Sequence, residues 1–99
     1  MLVTELQAKV PADKWDLLRR AYDDLTGRGL PIQMVSSALL QSASDGTVWR
    51  IVSTWKSQAA LEEYRASVET PEGVRLFRSV GGEPVLALFE VARQVAAAE

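Results

Sequence analysis

The chain has 99 residues, of which 47% are hydrophobic, and its 11 basic and 13 acidic side chains give a net charge of −2. This is the size of one domain, and the absence of any basic cluster argues against nucleic acid as a partner. Cysteine and histidine are both absent, which excludes disulfides and thiolate chemistry and removes the commonest metal ligand and general base.

The first predicted element is a strand over residues 2–10, because apolar or small residues alternate there with polar ones. One face carries Leu2, Thr4, Leu6, Ala8 and Val10. Glu5 lies on the opposite face and follows so short an apolar run that the segment does not resemble a signal peptide. Together with the missing cysteines, this favours a cytoplasmic protein, and no later apolar run is long enough to span a membrane.

An amphipathic helix is predicted next. Pro11 ends the strand, and Asp13 is the predicted N-cap. The apolar stripe recurs at helical spacing in Trp15, Leu18, Tyr22 and Leu25. Gly27 and Pro31 then end the helix.

The middle of the chain predicts a β-hairpin. A long strand over residues 32–42 is followed by the turn Asp45-Gly46 and a return strand over residues 47–55. In the first of these strands, one face is predicted to carry Ile32, Met34, Ala38 and Leu40. The return strand places Trp49, Ile51, Ser53 and Trp55 opposite Val48, Arg50, Val52 and Thr54.

The last third predicts two helical segments and a strand. Ser57 is the expected cap of the first helix, and Thr70-Pro71 is expected to supply the cap and first residue of the second. Gly81-Gly82 ends it. Residues 85–91 are apolar at nearly every position until Glu90, so we expect a strand covered on both faces, and the tail from about residue 93 is expected to fray.

The order strand, helix, strand, strand, helix pair, strand predicts an α+β domain over residues 1–99 with a ferredoxin-like βαββαβ arrangement. Its four-stranded antiparallel sheet would carry the helices on one face. Because the strands are apolar on both faces, the bare face predicts an interaction surface, and a second copy of the chain is the expected partner.

The third strand and the helix after it carry a family resemblance. Trp55-Lys56-Ser57, then Gln58-Ala59-Ala60-Leu61 and Tyr64, resemble the Trp-x-Ser-x-x-Ala-Leu passage of antibiotic biosynthesis monooxygenase-like domains. Ser67 to Pro71, the turn Gly81-Gly82-Glu83-Pro84 and the last strand with Phe89 look similar too. The likeness covers residues 2–92 and is typical of the dimeric α/β-barrel fold, with less specificity for an activity.

The resemblance implies a homodimer and a cofactor-free oxygenase acting on a small aromatic, polyketide or quinol-like molecule. The alternative is a non-oxygenase dimeric barrel domain: an isomerase, or a small-ligand-binding or stress-related module without redox chemistry. A purely structural dimer also stays open.

The haem-degrading branch of the family is similar in using an Asn on the first strand, a Trp near the second helix and a His after it. This chain has neither Asn nor His, and Tyr64 stands where that Trp is expected. Haem would need a Tyr or Met ligand. We therefore expect no haem and no zinc, copper or iron–sulfur site.

An oxygenase of this kind needs a dry pocket and a group that accepts a proton or stabilises an anion. Tyr64 is the candidate catalytic residue, and Glu5 is a second candidate for proton exchange. The candidate substrate-binding residues are Trp49, Trp55, Phe77 and Arg50, the last as a partner for an oxyanion. Arg50 and Trp49 face opposite ways on one strand, so within one subunit they cannot line the same cavity.

Overall fold

Four strands form one antiparallel sheet in the order β2-β3-β1-β4 in the computed structural model, which describes residues 1–98. The strands are β1 (Leu2–Lys9), β2 (Met34–Gln41), β3 (Val48–Trp55) and β4 (Val85–Glu90). The helices are α1 (Trp15–Gly27), α2 (Gln58–Ser67) and α3 (Glu72–Ser79). This is the predicted ferredoxin-like α+β arrangement, with all three helices on one face of the sheet.

The face alternation predicted for the two central strands is confirmed. β1 and β3 pair so that Leu6 lies opposite Ile51 and Thr4 opposite Ser53. The residues buried under the helices form two clusters. The larger, under α1 and α3, contains Ala8, Val10, Leu18, Trp49, Ile51, Leu76, Phe77 and Val80. The smaller, under α2, contains Leu2, Trp55, Leu61 and Tyr64.

Two of the three predicted helix starts differ in the structure. Asp13 is not an N-cap, because it lies within a 3₁₀ turn (Ala12–Lys14) that precedes α1. Thr70 does not cap α3 either: Pro71 is the N-cap residue, and the backbone N–H of Glu72 donates to the Tyr64 hydroxyl at 3.1 Å. The prediction for Ser57 is confirmed, since its Oγ accepts from the N–H of Ala60 at 3.0 Å.

The facing predicted for β2 is wrong at its start. The register with β3 shifts between Met34 and Ser36. Met34 therefore packs under the helices with the smaller core cluster, while Ala38 and Leu40 lie on the bare face. A single register shift moves every earlier residue of the strand to the opposite face of the sheet. A prediction from strict alternation does not include such a shift.

The prediction that β4 is covered on both faces is also wrong for the single chain. β4 is an edge strand, paired only with β1. Leu86 and Leu88 on the helix side and Val85 and Phe89 on the bare side are all at least 42% exposed. Residues 91–98 follow β4 without regular secondary structure.

The hairpin between β2 and β3 is held by Asp45. Its Oδ1 accepts from the Thr47 hydroxyl at 2.6 Å and from the Thr47 N–H at 3.0 Å. These hydrogen bonds, the side-chain one first, lower the pKa of the Asp45 carboxyl below its ordinary value of 3.8.

No helix in the described part of the chain combines the length and apolarity needed to cross a membrane.

Candidate active-site cavity

A cavity of about 340 Å³ lies between the sheet and the helices, within the usual size range of small-molecule sites. Its floor is formed by β1, β2 and β3, with Leu86 of β4 at the edge. Its walls come from the end of α1 with the loop that follows, from α2, and from the start of α3. Apolar side chains dominate the lining, among them Leu6, Leu25, Ile51, Trp55, Leu61 and Val74.

Small polar side chains on the floor account for the space. Thr4, Ser53 and Ser37 lie opposite one another across β1, β3 and β2. On one side of this row the sheet carries Leu6 and Ile51, which pack with the larger core cluster. On the other it carries residues of the smaller cluster. The row has no bulky side chain that could fill the space between the two clusters. The cavity lies there, between the row and the helices above it.

The polar side chains of the floor are hydrogen-bonded to one another's strands and to α1. The Tyr22 hydroxyl donates to Ser37 Oγ at 2.9 Å, and Ser53 Oγ donates to the same oxygen at 3.4 Å. The indole Nε1 of Trp55 donates to Thr4 Oγ1 at 2.9 Å. Thr4 and Ser53 are only 6% and 5% exposed, so these bonds satisfy groups that water hardly reaches.

Tyr64 lies in the wall opposite the floor and is buried. Its ring packs against Trp55 with centroids 5.0 Å apart and planes tilted by 43°. Its hydroxyl oxygen accepts from Glu72 N at the start of α3. The phenol is therefore fixed at both ends, by the indole and by the helix.

Three hydroxyls of the lining keep a proton to donate. The hydrogen bonds of Ser37, Thr4 and Tyr64 just described are all accepted by their oxygens. A hydroxyl has one donor besides its lone pairs, so each O–H is left to donate. Such an arrangement suits a ligand oxygen that carries a lone pair or a negative charge, for example a ketone, a phenolate or an enolate.

Among residues 1–98, the charged side chains of the lining lie at the mouth, the end of the cavity where both of its arginines are exposed to water. Arg28 and Arg65 line it together with Glu72. Glu72 forms an ion pair with Arg75 at 3.4 Å and is the one carboxylate among the lining residues in the described part of the chain.

The structure brings two of the six candidate site residues, Tyr64 and Trp55, together at the cavity. Trp49 and Phe77 do not line it. Trp49 is packed against Trp15, with centroids 6.2 Å apart, and its Nε1 has no hydrogen-bond partner in residues 1–98. Phe77 is fully buried in the larger core cluster.

Arg50 lies on the opposite, bare face of the sheet. Its Nε donates to Gln7 Oε1 at 2.8 Å, and its Nη1 is 3.4 Å from Glu5 Oε1. Neither Arg50 nor Glu5 faces the cavity, because both side chains lie on the face of the sheet that points away from the helices. Within one subunit they cannot act on a molecule bound there.

Sequence reasoning missed most of the polar lining: Thr4, Tyr22, Ser37, Ser53, Arg28, Arg65 and Glu72. One signal was present. Thr4 and Ser53 are small polar residues on strand faces whose other residues are mostly apolar. A residue of this kind indicates either a hydroxyl that is hydrogen-bonded within the core or the floor of a pocket. Nothing in the local sequence places Arg28 or Glu72 beside them.

Comparison with known proteins gives the following matches. The sequence model of the antibiotic biosynthesis monooxygenase family matches residues 1–76. No curated protein matches the chain.

Solved structures with this arrangement come from several bacteria. One from Deinococcus radiodurans, described as a candidate antibiotic biosynthesis monooxygenase, is 10% identical over 100% of both chains with a TM-score of 0.75. One with the same description from Nitrosomonas europaea is 16% identical over 94% of this chain and 100% of that one, with a TM-score of 0.69. The haem degrader MhuD from Mycobacterium tuberculosis, with two haems bound, is 18% identical over 97% of this chain and 100% of its own, with a TM-score of 0.71. At these identities the likeness establishes the fold alone.

Proposed function

The chain belongs to the antibiotic biosynthesis monooxygenase family, and from that premise we propose that it is a cofactor-free oxygenase of a small aromatic, polyketide or quinol-like molecule. The observation that carries the proposal is the apolar cavity with three O–H donors on its inner surface. An electron-rich ring fits the apolar walls, and its oxygen would meet the donors.

The proposed chemistry uses the substrate itself as the reductant of dioxygen. For an anthrone-type substrate, a proton leaves the ring CH₂ group to a base, and the resulting carbanion, with its charge delocalised onto the ring oxygen, reduces O₂. One oxygen atom becomes the new carbonyl and the other leaves as water with the two hydrogens of the CH₂ group. The protein contributes orientation, a dry environment and stabilisation of the anion.

Tyr64 has the central role in this proposal. Its O–H donates to the oxygen of the substrate anion, and the bond from Glu72 N holds the phenol in position. Glu72 is the proposed proton acceptor, because it is the carboxylate at the cavity and no histidine exists in the chain. Trp55 is the proposed apolar contact of the substrate ring. Trp49, Phe77 and Arg50 have no part in it, since they lie outside the lining.

Haem does not fit this lining. Histidine is absent, and the two tyrosines at the cavity, Tyr22 and Tyr64, already hold Ser37 and the start of α3 through their hydroxyl oxygens. Met34 packs against the smaller core cluster. An axial ligand would have to break one of these contacts.

The second candidate is a non-oxygenase member of the family, an isomerase or a small-ligand-binding module. The same three donors favour it, because they would stabilise an enolate without any oxygen chemistry. Oxygen consumption separates the two candidates.

The bare face of the sheet supports the proposal of a homodimer. Apolar side chains surround the Glu5–Arg50–Gln7 group there, including Val3, Leu40, Val52, Val85 and Phe89. A patch of this kind marks an interface, and a two-fold axis would let the same surface cover itself. The proposed setting is the cytoplasm, on the ground that the chain has no cysteine to oxidise.

Oxygen uptake with a panel of anthrones and hydroquinones tests the proposed function. Substrate-dependent uptake above the buffer rate, and its loss in Ser53→Leu, is the expected result, since the leucine fills the floor of the cavity. A thermal melt checks that this variant folds. No uptake above the buffer rate with any member of the panel would refute the oxygenase.

A further inference from the structure

Two arginines at the mouth of the cavity have no acidic partner in residues 1–98. Arg28 directly follows α1, and Arg65 lies in the last turn of α2. The ion pairs in this part of the chain use other arginines: Arg19, Arg50, Arg75 and Arg78. An arginine at a helix C-terminus interacts favourably with the helix dipole, which accounts for each position separately. It does not account for the presence of both in the lining of one cavity.

The surface outside the mouth carries further arginines. A shallow groove between α1 and α3 shares Leu25, Arg28 and Glu72 with the cavity and continues along Arg75 and Arg78. Arg28 therefore stands at the junction of cavity and groove. Arg75 is paired with Glu72 and Arg78 with Glu83, so Arg28 is the arginine of this exit that is left, within residues 1–98, to attract an anion.

The floor and the mouth of the cavity suit different chemical groups. The floor offers hydroxyl donors from Thr4 and Ser37 but, within residues 1–98, no cation, so a carboxylate placed there would lose its water on binding without gaining a counter-charge. The anion of the proposed reaction differs from a carboxylate, because it forms only after binding and its charge is delocalised over the ring. The mouth offers guanidinium groups that stay in contact with water. A neutral ketone or phenol oxygen therefore belongs at the floor, and a permanent anion at the mouth.

We infer that the ligand of this cavity is a bipolar fused-ring acid, with a phenol or ketone oxygen at one end and a carboxylate at the other. The ring fills the apolar space, the oxygen meets Ser37 and Thr4, and Arg28 with Arg65 binds the carboxylate. This inference rests on the proposed function in so far as it assumes that the cavity holds the substrate, and it adds the carboxylate as the group that selects among aromatic molecules.

Two probes that differ only in charge test the inference by calorimetry: 6-hydroxy-2-naphthoate and 6-hydroxy-2-naphthamide. The carboxylate should bind at least about tenfold more tightly than the amide, the effect of one hydrogen bond to a charged group. Arg28→Gln or Arg65→Gln should reduce this ratio, and added salt should reduce it as well. Arg20→Gln is the matched control, because Arg20 is an exposed arginine of α1 that lines neither cavity nor groove. It should leave the ratio unchanged.

Ser37→Ala tests the orientation. It should weaken both probes by a similar factor and leave their ratio intact; a loss of the ratio would place the carboxylate at the floor and overturn the inference. Equal binding of both probes to the unmodified protein, or a ratio that survives both arginine variants, would also overturn it while leaving the cavity as a ligand site. Failure of both probes to bind would count against the proposed site itself, and the inference would fall with it.

Discussion

Replacing Tyr64 with Phe removes one oxygen atom that serves two purposes, and the two losses have different sizes. The first is structural: Glu72 N loses its acceptor at the start of α3. A net hydrogen bond is worth about 1 kcal/mol, and in a domain of this length that lowers Tm by about 4–8 °C. The ring stays, so its contact with Trp55, with centroids 5.0 Å apart, is kept. The variant should fold.

The second loss is catalytic. A hydrogen bond to a charged group contributes about 1.5–3 kcal/mol, and about 1.4 kcal/mol corresponds to a factor of ten. If Tyr64 donates to the substrate anion, kcat should fall about tenfold to a hundredfold, while KM changes little because the anion forms only after binding.

Tyr22→Phe is the matched control for this prediction. It removes the other tyrosine hydroxyl at the cavity, whose partner is Ser37 Oγ rather than the backbone of α3. Steady-state oxygen uptake and a thermal melt of both variants separate the two losses. A similar drop in Tm with a much smaller drop in kcat is expected for Tyr22→Phe. An unchanged kcat in Tyr64→Phe, or equal losses of kcat in both variants, would remove Tyr64 from the catalytic role.

Three further predictions concern the floor, the dimer and the hairpin. Ser37→Ala should weaken the binding of phenolic ligands about fivefold to tenfold, the value of one neutral hydrogen bond. Ser36→Ala, on the bare face, should leave binding unchanged. If calorimetry finds the same loss in both variants, the assignment of Ser37 to the floor is contradicted. Arg50→Glu places a second carboxylate beside Glu5, and the repulsion between the two should dissociate the proposed dimer. In sedimentation at micromolar concentration, the mass should fall from twice 10.9 kDa to 10.9 kDa. A mass of 10.9 kDa for the unmodified protein would refute the dimer. Because the pKa of Asp45 is lowered in the folded chain, the stability that it contributes is present above pH 3.8 and is lost as the pH falls through the lowered pKa. Asp45→Asn should abolish that part of the acid dependence in urea melts, and an identical pH dependence in both proteins would speak against it.

The order and pairing of the elements were predictable from the sequence because they depend on local signals. Alternation in residues 2–10 and the Ser57 cap act within a few residues of chain, and both are confirmed. The hairpin is confirmed as well, but its connection spans residues 42–47, and neither Asp45 nor Gly46 has the positive φ of the tight Asp-Gly turn that the sequence predicts. The facing of Met34 was not predictable, because the register shift beside it depends on the pairing with β3. The N-terminus of α3 was missed for a similar reason: its partner is Tyr64, eight residues earlier and on another helix.

The candidate site was predictable only in part. Trp55 and Tyr64 were found because they lie at the end of a strand and on the stripe of the following helix, which are local features. The polar row of Thr4, Ser37 and Ser53 comes from three strands, and only the sheet order places them side by side. Arg50 was wrongly included in the candidate site. Its charge suggested a binding role, although the alternation along β3 places its side chain on the face of the sheet away from the cavity.

The most direct test of the proposed monooxygenase is the fate of isotope-labelled dioxygen during turnover of an anthrone by the protein without added metal or flavin. The proposal predicts one labelled oxygen atom in the new carbonyl of the product and the other in water, at a rate that falls in Tyr64→Phe and is lost in Ser53→Leu. Product without the label, or product formed no faster than in buffer, would contradict it.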